Sequence, residues 1–220
     1  MKIIVIDDHA LMRELLLKAC LEAVPGSRVH GAGTAKSGLA LVQARQPDLI
    51  ILDLALPDRD GLELLDDLLL ASPRSKVIGL SGYSDEFTLH QVNHSKLHGF
   101  VDKKEQTVEQ LANAIQSVMG GERYFSESVR QAVVSQRNDP VAFNKILSQR
   151  EQQLLGLFGR GLSNQQVAAT LGLSELTVRN HRCRTMAKLG LRTTAELIHY
   201  ALEKGFIRRE SLERVSANSD

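Results

Sequence analysis

Tryptophan is missing from this 220-residue chain, and all aromatic residues together make up 4% of it. Its cores must therefore be built from Leu, Val, Ile and Ala. Cysteine is scarce too: Cys20 and Cys183 lie far apart and offer no disulfide framework. No apolar run reaches the roughly 18 residues of a transmembrane helix. The opening MKIIVIDDHA has a short apolar run that meets two aspartates, unlike a secretory signal peptide. These absences predict a cytoplasmic protein with no membrane contact. An apolar content of 43% supports packed cores, and the length suits two domains of ordinary size.

Charge is unevenly placed. Residues 1–118 carry 12 Lys and Arg against 16 Asp and Glu, a net of −4. Residues 148–209 carry 10 against 4, a net of +6, which points to a polyanion as partner of the second part. Apolar runs of strand length recur through the first part, at residues 2–6, 28–33, 49–53, 76–81 and 99–102. Helix-like segments alternate with them, at 11–23, 35–45, 61–71, 86–94 and 107–119. That alternation predicts a doubly wound, five-stranded parallel sheet with helices on both faces. The pattern stops at Gly120 and Gly121. Residues 121–145 read as a linker with one helix over 126–137. From residue 146 to 209 the pattern is purely helical. Four short helices open at Ser148, Ser163, Ser174 and Thr193 and close at Gly161, Gly172, Gly190 and Gly205, a small helix-turn-helix bundle. Residues 210–220 form a polar tail.

The stretch IILDLALPDRDG poses the chemical question, because Asp53 ends an apolar strand where an unpaired carboxylate is costly. In such a sheet, ligands bind beyond the carboxyl ends of the strands. Asp7 and Asp8 end the first strand, Asp53 the third and Ser81 the fourth, and Lys103 follows the fifth. Three carboxylates, a hydroxyl and an ammonium on one patch suit Mg²⁺ and a phosphate oxygen. Asp53 is then the nucleophile that forms an acyl phosphate, with Ser81 and Lys103 holding the phosphoryl group. Taken singly, Asp7 and Asp8 could cap a helix, Lys103 could be a solvated charge and Ser81 a strand end.

VIDDH, ILDLALPDRDG, LSGYSD and GFVDKK together resemble the receiver domain of bacterial response regulators over residues 1–120. The resemblance implies a flavodoxin-like fold and phosphorylation of Asp53 by a cognate sensor histidine kinase. It implies Mg²⁺ bound by Asp8, Asp53 and the backbone carbonyl of Ala55, with Asp7 helping through water. It also implies a switch made of Ser81 and Phe100, and an influence of Ala55 and Tyr83 on the water that removes the phosphoryl group. No enzyme activity is implied beyond the receiver's own phosphoryl transfer and dephosphorylation. An aspartate-nucleophile phosphatase or dehalogenase is the rival reading, but Ala55 stands where its second aspartate belongs. A receiver kept only as a dimer scaffold is the other rival, and the complete acidic set argues against it.

In the basic part, Val178, His181, Thr185 and Leu189 share one face of a helix while Arg179, Asn180, Arg182, Cys183, Arg184 and Lys188 occupy the other. A positive second helix of a helix-turn-helix suits the major groove of DNA. LSQRE, GLSNQQVA and LSELTVRNH resemble the LuxR-type domain of NarL/FixJ response regulators over about residues 146–207. The resemblance implies DNA contacts among Asn164, Ser174, Thr177, Val178, Arg179, Asn180, Arg182, Cys183, Arg184 and Lys188. Of these, Arg179, Asn180 and Cys183 face bases, while Thr177, Arg182, Arg184 and Lys188 meet phosphates. It also implies a homodimer when active, formed around residues 195–201, and RNA polymerase as a partner. Thr185 stands where a large aliphatic residue is usual, which predicts a slightly loose core there. His90, His94 and His98 have helical spacing but no completing ligand, and read as surface residues rather than a metal site.

Overall fold

A computed structural model describes residues 1–104 and 107–207. The expected tail at residues 210–220 lies outside the described residues. The chain forms two compact units, one from residues 1–84 and 91–132, the other from residues 85–90 and from residue 133 onward. Among the described residues, no helix is long and apolar enough to cross a membrane.

The first unit follows the alternation of the sequence closely. Strands β1 (Lys2–Ile6), β2 (Arg28–Ala32), β3 (Leu49–Asp53), β4 (Lys76–Ser81) and β5 (Gly99–Asp102) are separated by helices α1 (Ala10–Ala23), α2 (Ala35–Arg45), α3 (Gly61–Ala71) and α4 (Glu86–His94), of which residues 86–90 count with the second unit, and α5 (Val108–Met119) follows. One sheet holds the strands, all parallel, in the order β2-β1-β3-β4-β5, with one further strand beside β5. The sixth strand, β6 (Tyr124–Phe125), corrects the expectation of five. Its two residues fall in the stretch read as linker, and their pairing with Gly99 and Phe100 extends the sheet. A two-residue strand has no periodicity to betray it. The central strands are buried on both faces, so they read as continuous apolar runs. Ile3, Val5, Ile51, Ile78 and Leu80 pack against Leu16 and Cys20 of α1 and Leu111, Ile115 and Val118 of α5. Burial raises the Cys20 thiol to about 12, which keeps it protonated and inert.

The second unit holds α6 (Glu127–Asn138) in part, a short α7 (Phe143–Ile146), then α8 (Gln149–Gly159), α9 (Asn164–Leu171), α10 (Glu175–Leu189) and α11 (Thr194–Glu203). The side chains of Ser148, Ser163 and Thr193 each complete a capping box, and Ser174 accepts the Thr177 N–H. Gly172 closes α9 with φ 63°, a left-handed conformation that glycine adopts without steric cost. Leu154, Leu155, Phe158, Val167, Val178 and Leu197 form the core.

Thr185 is completely buried in this core, and its hydroxyl has no hydrogen-bond partner among the described residues. A buried unpaired hydroxyl costs about 1–3 kcal/mol. Thr185→Val keeps the shape and removes the polar atom, so it should stabilise the unit by about 1 kcal/mol. Thermal unfolding of the full chain should then show the second unit's midpoint raised by about 4–8 °C. A lowered midpoint would mean that the hydroxyl is paired after all.

Candidate functional sites: an acidic cluster and a basic helix

The parallel topology places the carboxyl ends of β1, β3 and β4 side by side, and Lys103, the residue after β5, reaches them. Asp7 and Asp53 are nearly inaccessible, at 0% and 2% exposure, and Ser81 is wholly buried. Lys103 reaches both carboxylates, its Nζ 2.7 Å from Asp7 Oδ2 and 2.8 Å from Asp53 Oδ2. Backbone groups fix the remaining oxygens. The Ala55 N–H donates to Asp53 Oδ1 at 2.9 Å and the His9 N–H to Asp7 Oδ1 at 2.9 Å. The Lys103 N–H donates to the Ser81 carbonyl, and the Tyr83 N–H to the Ser81 hydroxyl. Gly61 is essential to the turn after β3: a Cβ there would stand 2.6 Å from Leu54 Cα and 2.7 Å from the Asp53 carbonyl. Phe100 is completely buried in β5.

The electrostatics are those of a cluster with too much negative charge. Burial raises the Asp7 carboxyl above its ordinary value, reinforced by the Asp53 charge and opposed by Lys103. For Lys103, burial favours the neutral amine, but its hydrogen bonds to Asp53 and Asp7 outweigh that and raise the group. A raised lysine is fully charged below its ordinary range, hence at every physiological pH. One ammonium offsets two buried carboxylates, and Asp8 adds a third. Ligand atoms of Asp7, Asp8, His9 and Asp53 all lie within 4.8 Å of one another. Asp8 Oδ1 is 2.8 Å from His9 Nδ1, yet it accepts no well-directed hydrogen bond. A cluster of oxygen donors with an orphaned carboxylate atom fits a hard divalent cation.

Two neighbours of the cluster had no role in the sequence reading. His9 was visible in VIDDH but carried no assignment. Arg13, one turn into α1, donates from Nη1 to the Asp7 carbonyl at 2.6 Å, and its side chain lies against Gly31 and Gly33 of the β2 region. Nothing in the local pattern marks the approach of Arg13 to Gly31 and Gly33. His98 is half-buried rather than a free surface residue: its Nδ1 accepts the Val77 N–H at 3.1 Å, and burial lowers its pKa.

In the second unit, α9 and α10 pack as a helix-turn-helix. Val178 and Thr185 are fully buried, with His181 and Leu189 half-buried beside them. This corrects the placing of Val178 among the DNA contacts, because its side chain has no exposed surface. Arg179, Asn180, Cys183 and Arg184 are exposed on the opposite side. Two cations assigned to phosphates are engaged internally. Lys188 Nζ lies 2.7 Å from Glu151 Oε2, which also receives the Ser148 N–H. Burial raises the Glu151 carboxyl, but the donors Lys188 and Ser148 outweigh it and the net shift is downward. Arg182 donates to Asn164 Oδ1 at 3.3 Å and Thr194 Oγ1 at 2.9 Å, and it lies over the Phe158 ring. Ser174 and Thr177 share a hydroxyl contact at 2.7 Å in the N-cap of α10. Within the expected dimer stretch, Leu197 and Ala201 face the unit's own core.

Residues 3–116 match the response regulator receiver domain family, and residues 145–201 match the bacterial regulatory proteins of the luxR family. The chain belongs to the response regulators. Relatives align along nearly its whole length. The transcriptional regulatory protein MctR of Rhizobium johnstonii is 32% identical over 215 residues, 94% of this chain and 96% of that protein. The DNA-binding transcriptional activator DevR/DosR of Mycobacterium tuberculosis is 32% identical over 209 residues, 92% and 94% of the two chains. Among solved structures, RcsB of Salmonella enterica serovar Typhimurium, bound to a promoter in the presence of BeF3⁻, superimposes with TM-score 0.63 at 24% identity, covering 91% of this chain and 97% of that one. The response regulator therefore combines a receiver with a LuxR-type DNA-binding domain and acts as a transcription regulator.

Proposed function

We propose that Asp53 is the phosphoacceptor and that its phosphorylation controls DNA binding by α10. The observation that carries this is the Lys103 ammonium bridging Asp7 and Asp53 at a strand-end cluster of carboxylates. A carboxylate oxygen of Asp53 attacks the phosphorus of a phosphohistidine on a cognate sensor histidine kinase. The P–N bond breaks, and the imidazole leaves with the bonding electron pair and takes up a proton. Asp8, Asp53 and the Ala55 carbonyl would hold Mg²⁺, with Asp7 helping through water. When bound, the ion neutralises charge on the transferring oxygens. Lys103 and the Ser81 hydroxyl hold the phosphoryl group, and with the buried Phe100 they form the switch. Apart from transferring and losing its own phosphoryl group, the protein is read as no enzyme.

The DNA partner is supported by the exposed Arg179, Asn180, Cys183 and Arg184 on α10. We place the receiver at residues 1–120, the linker at 121–145 and the DNA-binding domain from residue 146 to about 209. The active form is a homodimer acting in the cytoplasm, where DNA is, and RNA polymerase is its downstream partner. Labelling of the chain by a small phosphodonor with Mg²⁺, located by mass spectrometry, tests the first half of the reading. Sequence selection from random duplexes tests the second.

The acyl phosphate should be long-lived. Ala55 carries only a methyl group and Tyr83 only a phenol, so neither supplies a carboxylate or amide to orient the attacking water. Ala55→Asn with Tyr83→Glu should shorten the half-life of the label about tenfold, below the roughly 10²-fold that a complete general base contributes. Unchanged decay in the double variant, with fast decay in the wild type, would remove both residues from this role.

A further inference from the structure

The outward face of α10 has an uncharged spine that the charge pattern hides. At 3.6 residues per turn, positions 176, 180, 183 and 187 fall within about 40° of one line along the helix. The buried side chains of Val178 and Thr185 lie on the opposite side. Leu176, Asn180, Cys183 and Ala187 are all exposed, and Leu176 is 66% accessible in the first turn. Exposed Arg179 flanks the spine on one side by about 60° and exposed Arg184 on the other by about 80°. A single exposed leucine is ordinary on a surface. This one sits at the N-terminal end of the helix, where such helices meet base edges, between two exposed guanidinium groups suited to a polyanion.

We infer that Leu176 is a specificity-determining residue that packs on the 5-methyl group of a thymine in the major groove. The methyl is the one apolar feature of the groove edge, and it distinguishes thymine from every other base. The inference rests on the reading that α10 enters the major groove. It adds that each half-site carries an A·T pair opposite Leu176, beside the bases read by Arg179 and Asn180.

The test uses the full chain, phosphorylated with a small phosphodonor and Mg²⁺, and a duplex that it selects from a random pool at fixed salt. Each thymine is replaced in turn, in both half-sites, by deoxyuridine, which removes only the methyl. One replacement per half-site should lower wild-type affinity about three- to fivefold, as the loss of one buried methyl predicts. The same replacement should leave Leu176→Ser unaffected, with Leu176→Ala intermediate. Both variants should keep the wild-type unfolding midpoint, since the side chain is exposed. The inference is overturned if the wild type tolerates every deoxyuridine, or if Leu176→Ser shows the same loss. A pool from which nothing is enriched overturns the reading face itself, and this inference with it.

Discussion

Asp53→Asn should abolish labelling by a small phosphodonor, while the wild type takes up one phosphoryl group per chain in the presence of Mg²⁺. The substitution is nearly isosteric, and the one remaining oxygen can keep either the Ala55 N–H or the Lys103 ammonium as its donor. The charge, one acceptor and the nucleophile are lost together, and a carboxamide does not form the acyl phosphate. Equal labelling of the two proteins would sink the assignment. Asp8→Ala should also lose labelling, because the cluster then lacks one of its oxygen ligands for the cation. Lys103→Met separates the electrostatic part. Removing one preorganised donor to developing charge lowers rates by about 10²–10³-fold. It also strands Asp7 and Asp53 without their counter-charge, and breaking a buried pair destabilises by about 3–5 kcal/mol. Labelling of this variant should therefore be measured at high Mg²⁺, with folding checked in parallel, so that lost chemistry is distinguished from lost structure.

DNA affinity should fall steeply with salt, and the variants should divide into two groups. Six to ten phosphate contacts in a dimer correspond to a loss of about 10³–10⁵ in affinity between 50 and 200 mM salt. Arg184 is exposed, so Arg184→Ala should weaken all sequences alike and lower the salt slope by about 1 per protomer. Arg179→Ala should instead relax preference at one base position, by about 1–3 kcal/mol if the contact is bidentate. Arg182→Ala should weaken binding to every sequence, but through a different route. Its guanidinium ties α10 to α9, α11 and α8 through Asn164, Thr194 and Phe158, so the variant should also unfold at lower temperature. Two half-sites about one helical turn apart, roughly 10 bp, are expected in the selected duplexes. Binding whose salt slope is unchanged in Arg184→Ala, or a selected site unchanged in Arg179→Ala, would show that α10 presents another face to DNA.

Much of this molecule was legible before folding. The five long strands and five helices of the first unit follow hydrophobic periodicity, and their ends follow Pro, Gly and capping residues, because those signals are local. The acidic site was legible for a related reason. Each of its members sits at the end of a strand, and a parallel sheet brings all such ends to one edge. The helix-turn-helix was announced by serine caps and the glycine turn at Gly172.

What only the tertiary structure decided is who meets whom across long stretches of chain. The pairing of Tyr124–Phe125 with β5, the packing of Arg13 against Gly31 and Gly33 and the bond from the Val77 N–H to the His98 ring all depend on partners that no local pattern names. The same holds for the cations of α10. Sequence placed Arg182 and Lys188 on the charged face, but a pair such as Lys188 with Glu151, 37 residues apart, forms only once α8 and α10 have packed. Periodicity determines which side of a helix turns inward. The distances that decide whether a charge is spent on the protein itself or left for DNA come from packing alone.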